Sequence, residues 1–285
     1  MIRTMITATN TLTNLQQKMD VTSNNIANSG THGYKAQVTT FEELMYQQFN
    51  NDVLDRTERE TPVGIRYGVG AGIAQLQLTT KQGVLQHTDR PLDFAFTTEN
   101  QYFNILMDNA DGEYNTAYTR QGDFYFSQAE NEQVALVNAD GYPVANADGE
   151  PILLPEGAES YRMLDGGVLT VQYPTQSDGT FETIEIEMGV TNVFKPQLLA
   201  HISGTYFDLP ANFEELGYNE EDVLVDLQGQ ARGAIALQNN ALEASNVDVG
   251  KEMTDLIATQ RAYQFNSRAV TIADQMLGLI NSARS

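Results

Sequence analysis

Val249, Leu256, Tyr263, Val270 and Leu277 are all apolar and fall seven residues apart. Met253 adds an apolar residue at the alternate position of the repeat, and Ile257, Met276 and Ile280 widen the stripe. A seven-residue apolar repeat sustained in this way demands a helix that packs lengthwise on other helices. No proline interrupts it. Asn246 and Asp248 are both good N-cap residues, so the helix should begin near one of them. The other alternate positions, Gln260, Ser267 and Asp274, are polar. Polar residues there weaken a two-stranded coiled coil but specify register and partner. Periodicity alone leaves open a core helix of a globular domain, because it does not say what the stripe packs against.

The first residues match the last. Met5, Leu12, Met19 and Ile26 are again seven apart, Ile2 and Leu15 broaden the stripe, and the alternate positions Thr9, Gln16 and Ser23 are polar. The pattern predicts an α+β chain. Long N- and C-terminal helices pair as a coiled-coil-like element, and an antiparallel β-rich domain is inserted between them. The expected boundaries are a helix and turn over 1–45, an extended linker over 46–80, the β-rich domain over 81–238 and the returning helix over 239–285. A helix from Val249 to Asn281 would be about 50 Å long. Two such helices bury one seam and leave most of their apolar surface in water, so the element needs further copies of itself.

Composition narrows the class. The 285 residues include no cysteine, which removes disulfides, thiolate metal ligands and a cysteine nucleophile. The opening MIRTMITATNTLTNLQQ has no continuous apolar stretch of the kind a cleavable secretion signal carries, and direct membrane insertion is not expected. The net charge is −22, yet residues 1–50 are neutral and residues 241–285 carry −1, which leaves −21 in the middle. Near-neutral ends can pack against copies, while an acidic middle stays solvated. Without a basic patch to displace counterions, nucleic acid is not an expected partner.

After the first helix, Asn24, Asn25, Asn28, Gly30 and Gly33 mark a helix end and a turn, with Gly30 or Gly33 supplying a positive φ. The stretch NNIANSGTHGYK resembles the N-terminal signature of the bacterial flagellar hook–basal-body rod proteins: Asn-Ile/Leu-Ala-Asn, a spacer, then Gly-Tyr/Phe-Lys/Arg. At the other end, LEASNVDVGKEMTDLIATQRAYQFNSR resembles that family's second signature, Glu-x-Ser-Asn-Val-Asp followed by Gln-Arg-Ala-Tyr. In the middle, Thr88, Pro91, Leu92, Asp93 and Ala95 resemble its Thr-x-x-Pro-Leu-Asp-x-Ala segment, and Tyr118, Thr119, Arg120, Gly122 and Phe124 its Tyr-Thr-Arg-x-Gly-x-Phe hairpin. VFKPQLLA resembles its apolar-x-Pro-x-x-Leu segment. Thr97 to Tyr102 departs from the usual Gly-x-Gly-Phe-Phe, which points to a divergent rod paralogue.

Other motifs carry less. Gly68, Gly70 and Gly72 are misplaced for a dinucleotide fingerprint, and a strand-like alternation follows them rather than a helix. Asp52 to Glu60 reads as charged linker, and the acidic run Glu214 to Asp226 as a solvated loop. Asp111-Gly112, Asp140-Gly141 and Asp148-Gly149 are hairpin turn dipeptides, and none has the spacing of a calcium loop. GGVLTVQY and TIEIEMGV read as strands. His32, His87 and His201 have no helical metal-ligand spacing, and no nucleophile elbow or phosphate-binding loop occurs. An enzyme is not expected, nor any cofactor or metal.

The resemblance implies a structural rod subunit of the basal body in the cell envelope, self-assembling into a helical axial tube that transmits torque from motor to hook. It implies as partners copies of the chain, other rod and hook proteins, and the flagellar type III export apparatus. The expected assembly interface comprises Asn28, Gly33, Tyr34, Asn246, Asp248, Leu256, Gln260, Arg261, Tyr263 and Val270. Two other readings stand beside it: a β-rich surface adhesin on a helical stalk, and a peptidoglycan-processing hydrolase using a carboxylate pair.

Overall fold

A computed structural model of the chain describes residues 2–43, 47–49, 65–67, 71–108, 114–129, 133–174, 181–210, 213 and 217–284. The chain is α+β and divides into two compact units. One comprises residues 1–27, 37–77 and 248–285, and the other residues 28–36 and 78–247.

The helical unit holds the two long helices, Ile2–Ala27 and Val249–Arg284, which pack along each other. Asp248 caps the second helix: its Oδ1 accepts the Lys251 N–H at 3.1 Å. The first seam position lies where the repeat puts it from Leu256 onward, with Leu256, Tyr263, Val270 and Leu277 half-buried, whereas Val249 at the helix start is exposed. The second lies three residues further on rather than four. Thr259 and Ala273 are buried and Asn266 is half-buried, while Met253, Gln260, Ser267 and Asp274 are exposed. The N-terminal helix makes the same choice. Ala8, Leu15 and Thr22 turn inward, and Thr9, Gln16 and Ser23 face out.

Small size and satisfiable polarity account for the difference. Threonine and alanine let two backbones approach, and the Thr259 hydroxyl donates to the Asp255 carbonyl at 2.7 Å. Gln260 or Asp274 in that place would strand a buried amide or carboxylate. Where a linker is expected, Gln47–Phe49 pairs antiparallel with Ile65–Tyr67, and Gln37–Glu43 pairs with Ala71–Leu78. Gly72 therefore lies in a strand. Gly68, Gly70 and the run Asp52 to Glu60 lie outside the described residues.

The second unit is β-rich. A six-stranded antiparallel sheet runs in the order Ala200–Ser203, Tyr206–Asp208, Tyr114–Thr119, Gln101–Asp108, Val190–Val193, Leu224–Asp226. Two three-stranded antiparallel sheets accompany it. Tyr125–Gln128, Gln133–Val137 and Leu153–Pro155 form one, and Ser160–Leu164, Val168–Pro174 and Phe181–Glu187 form the other. One core joins these layers, centred on Phe94, Phe103, Phe124, Leu136, Leu169 and Met188, with Phe103 edge-on to Phe124 at 5.1 Å.

The expected turns at Asp140-Gly141 and Asp148-Gly149 form, with φ of 89° and 82° at the two glycines. Each is built by an asparagine: Asn138 Oδ1 accepts from Asp140 N and Tyr142 N, and Asn146 Oδ1 from Asp148 N and Glu150 N. Asp111-Gly112 lies outside the described residues, as do Glu214 and Glu215 of the acidic run. The end of that run forms the short helix Glu220–Val223 and the strand Leu224–Asp226.

Candidate functional site: the signature junction and the outer helix face

Three motif segments far apart in sequence meet inside the β unit. Glu243 is buried at their centre. Its Oε1 accepts the Lys35 ammonium at 2.6 Å and the Gly83 N–H at 2.8 Å, and its Oε2 accepts Arg120 Nε at 2.7 Å. Arg120 spends its remaining donors on the carbonyls of Thr98, at 3.1 Å, and Gln101, at 2.9 Å. Its guanidinium also lies over the rings of Phe96 and Tyr102, at 5.4 and 5.8 Å. Lys35 donates a second bond to the Lys81 carbonyl at 2.9 Å.

This cluster carries two cations against one anion, all removed from water. Burial, and then the neighbouring Arg120, push the Lys35 ammonium down to about 8, with Glu243 opposing the fall. Burial likewise pushes the Tyr102 phenol up to about 12. Every oxygen of Glu243 is occupied from within the chain. The arrangement is therefore a tie between segments.

The turn before Lys35 is fixed just as tightly. Gly33 adopts φ 72°, and a Cβ there would stand 2.5 Å from the Gln121 amide nitrogen. Its own N–H donates to the Glu243 carbonyl at 2.8 Å. Only glycine meets both conditions. Tyr34 is buried beside it. Asn28 holds the start of the turn, its carbonyl accepting Thr31 N at 3.1 Å. Asn246 stitches the return: its Oδ1 accepts Ala36 N at 2.7 Å, and its Nδ2 donates to the Thr79 and Lys81 carbonyls, each at 2.9 Å.

Of the ten residues expected at an assembly interface, Gly33 and Tyr34 are therefore enclosed within the chain, and Asn28 and Asn246 are half-buried in turn and strand-like hydrogen bonding. Leu256, Tyr263 and Val270 are half-buried, and Gln260, Arg261 and the cap Asp248 are exposed. Lys35, Arg120 and Glu243 were not among the ten. Each is the charged residue of a quoted motif, which was the available signal, but nothing local says that the three converge.

A second feature belongs to the helical unit. At 3.6 residues per turn, Ile257, Phe265, Ile272, Met276 and Leu279 share one stripe on the side of the C-terminal helix opposite its seam. All five are exposed, Phe265 by 74% and Leu279 by 69%. The C-terminal helix is therefore apolar on two opposite sides, one half-buried and one exposed.

No helix among the described residues is long and apolar enough to cross a membrane. Among those residues, no three or more histidines and carboxylates are grouped as metal ligands.

Comparisons with known proteins fall on the same segments. The model described as "Flagella basal body rod protein" matches residues 5–35, which include the Gly33–Lys35 turn. That described as "Flagellar hook protein FlgE/F/G D1 domain" matches 99–171, which include Arg120. That described as "Flagellar basal body rod FlgEFG protein C-terminal" matches 238–283, which include Glu243 and most of the C-terminal helix. The flagellar hook-basal body complex protein FlhP of Bacillus subtilis is 42% identical over the full length of both chains. The flagellar basal-body rod protein FlgG of Borreliella burgdorferi is 32% identical over all of this chain and 99% of the relative. FlgG of Caulobacter vibrioides is 31% identical over 95% of each. Relatives that align from end to end, and models that each contribute one charge to the Glu243 cluster, place this chain in the flagellar hook–basal-body rod protein family.

Proposed function

We propose that this chain is a structural subunit of the flagellar basal-body rod, and that it builds the rod through the outer face of its C-terminal helix. The exposed stripe Ile257, Phe265, Ile272, Met276 and Leu279 carries this reading. Burying five large apolar side chains contributes on the order of 5–10 kcal/mol before ordering costs. Neighbouring copies supply the cover. Each subunit offers a coiled-coil-like helical pair that is incomplete alone, and copies add head to tail by contacts that do not close, giving a helical tube. Such a tube transmits torque along its axis.

The relatives' names support the basal body as the location and other rod and hook proteins as further neighbours. Passage through the type III export apparatus as an unfolded chain fits the absence of cysteine. The names of the relatives lend nothing to an adhesin or a peptidoglycan hydrolase.

The test replaces Phe265 and Ile272 together by aspartate. Both side chains already face water, so the isolated variant keeps its fold, but a carboxylate in each contact costs several kcal/mol. The expected result is an exported, soluble protein that is missing from isolated basal bodies, in cells that do not swim. Swimming cells whose rods contain the variant would overturn the outer face as the assembly element.

A further inference from the structure

The rod-subunit reading creates an electrostatic problem in the β unit. Residues 28–36 and 78–247 carry seven basic and 27 acidic side chains, a formal charge of −20. Stacking copies brings such units together, and salt screens charge only over about 8–10 Å. Any contact between neighbouring β units therefore needs cations, and few are free. Lys35, Arg120 and Arg232 are enclosed. Arg90 is held by Asp93 at 3.1 Å and lies over Tyr125, and Lys195 lies over Tyr218. Lys81 and Arg162 remain exposed.

Arg162 lies in a groove of about 660 Å³ on the solvent face of the hairpin formed by Ser160–Leu164 and Val168–Pro174. Ser160, Arg162, Thr170 and Gln172 share that face by their register, and Pro91 and Asn240 wall it. One detail marks the groove as more than bare surface. The Thr170 hydroxyl at its floor is enclosed and has no hydrogen-bond partner.

The complement lies elsewhere on the same unit. Glu220, Glu221 and Asp222 are the one run of three consecutive acidic residues in the sequence, and all three are exposed. Among the described residues, no ion pair joins this turn to Arg162 within the chain. We propose that the Arg162 groove receives the Glu220–Asp222 turn of a neighbouring copy, so that one unpaired guanidinium and one acidic turn set the contact between successive β units. Such a contact is heterologous, because the two surfaces differ, and it propagates along a polymer without closing. The planar guanidinium can take a carboxylate with two parallel hydrogen bonds, which fixes orientation as well as proximity.

The inference rests on the rod-subunit reading, and the test separates the two. Isolated basal bodies are assayed for wild-type chain, for Arg162→Glu, and for Arg162→Glu combined with Glu221→Arg, with each purified variant checked by thermal melting. Arg162→Glu is expected to enter basal bodies at least about fivefold less than wild type while melting normally, and the added Glu221→Arg to restore it. Because the chain has no cysteine, a second measurement is clean. Cells co-expressing Arg162→Cys and Glu221→Cys copies are treated with a short bifunctional maleimide, and a dimer containing one of each is expected. Normal incorporation of Arg162→Glu, absence of rescue, or absence of the mixed dimer from basal bodies containing both cysteine variants would overturn the contact while the rod reading stands. Absence of the wild-type chain from basal bodies would sink both.

Discussion

Phe94, Phe103 and Phe124 are fully enclosed in the β unit, whereas Phe265 in the helical unit leaves three-quarters of its surface in water. Charge divides the chain along the same line. Twenty of the 22 net negative charges belong to the β unit, and the helical unit carries −2. The β unit closes its own core, holds a buried ion cluster and presents an acidic surface. The helical unit buries a narrow seam and leaves a second apolar stripe in water. On the proposed function the exposed helical stripe carries most of the contact with neighbouring copies and the β unit carries most of the chain's own stability, so substitutions in either unit should separate the two effects.

The harshest test of that division is Glu243→Gln. The change is nearly isosteric, but it leaves Lys35 and Arg120 buried with no anion between them. Breaking a buried ion cluster by removing one partner costs about 3–5 kcal/mol. The β unit is expected to lose most of its stability, seen as a large drop in the urea midpoint of the strand signal. If that midpoint moves by less than a tenth, the cluster does not hold the unit together.

Gly33→Ala should be milder. An alanine there meets both an unfavourable φ and the backbone of Arg120 and Gln121. Strain of this kind costs about 1–3 kcal/mol, all of it in the β unit. Thermal melting followed by near-ultraviolet dichroism reads it directly, since the tyrosines that report there include the buried Tyr34, Tyr102 and Tyr206. Gly30 is the internal control. It has no positive φ and nothing within 4 Å of an added Cβ, so Gly30→Ala should be nearly silent.

Smaller again is the difference in native-state opening. In a dilute monomer, amides of Val249–Arg284 are expected to exchange at least about tenfold faster than those of Gln101–Asp108, because the helix seam is half-buried and the strand core is closed. Assembly into rods should erase that difference. Equal protection in the monomer would mean that the helical pair is already complete by itself.

Much of this was legible in the sequence, and the reasons differ by element. The terminal helices announce themselves because a seven-residue repeat has few other physical solutions. The β unit is readable from alternation and from the Asp140-Gly141 and Asp148-Gly149 turns, whose glycines do take positive φ. The phase of the seam was not readable. Positions three and four residues after Leu256 are Thr259 and Gln260, both polar, and only the packing of the two helices decides which of them is buried. The Glu243 cluster was hidden for another reason. Lys35 and Glu243 are 208 residues apart. A lysine after a turn and a glutamate before a helix each look like ordinary surface charge until the fold brings them together.

The last prediction uses the excess cation. Lys35 has a folded pKa lowered to about 8 from an ordinary 10.5, chiefly by burial. Between those values the folded chain has released this proton and the unfolded chain still holds it. The unfolded state therefore binds more protons, and the contribution of Lys35 to stability rises with pH. From pH 7.5 to 9 the gain is about 1 kcal/mol. The window closes above pH 10, because Tyr102, raised to about 12, then ionises first in the unfolded chain and reverses the sign. Lys35→Met should abolish the rise. It should also leave no orphan behind: the Lys81 carbonyl keeps Asn246, and Glu243 keeps Arg120 and the Gly83 N–H. At pH 7 the variant is therefore expected to be as stable as the parent to within about 1 kcal/mol, in contrast to Glu243→Gln. Urea midpoints of parent and variant at pH 7.5 and pH 9 give both numbers. A parent midpoint that falls between those pH values, with no difference in Lys35→Met, would show that the cluster holds its charges in balance and that the second cation is not in excess.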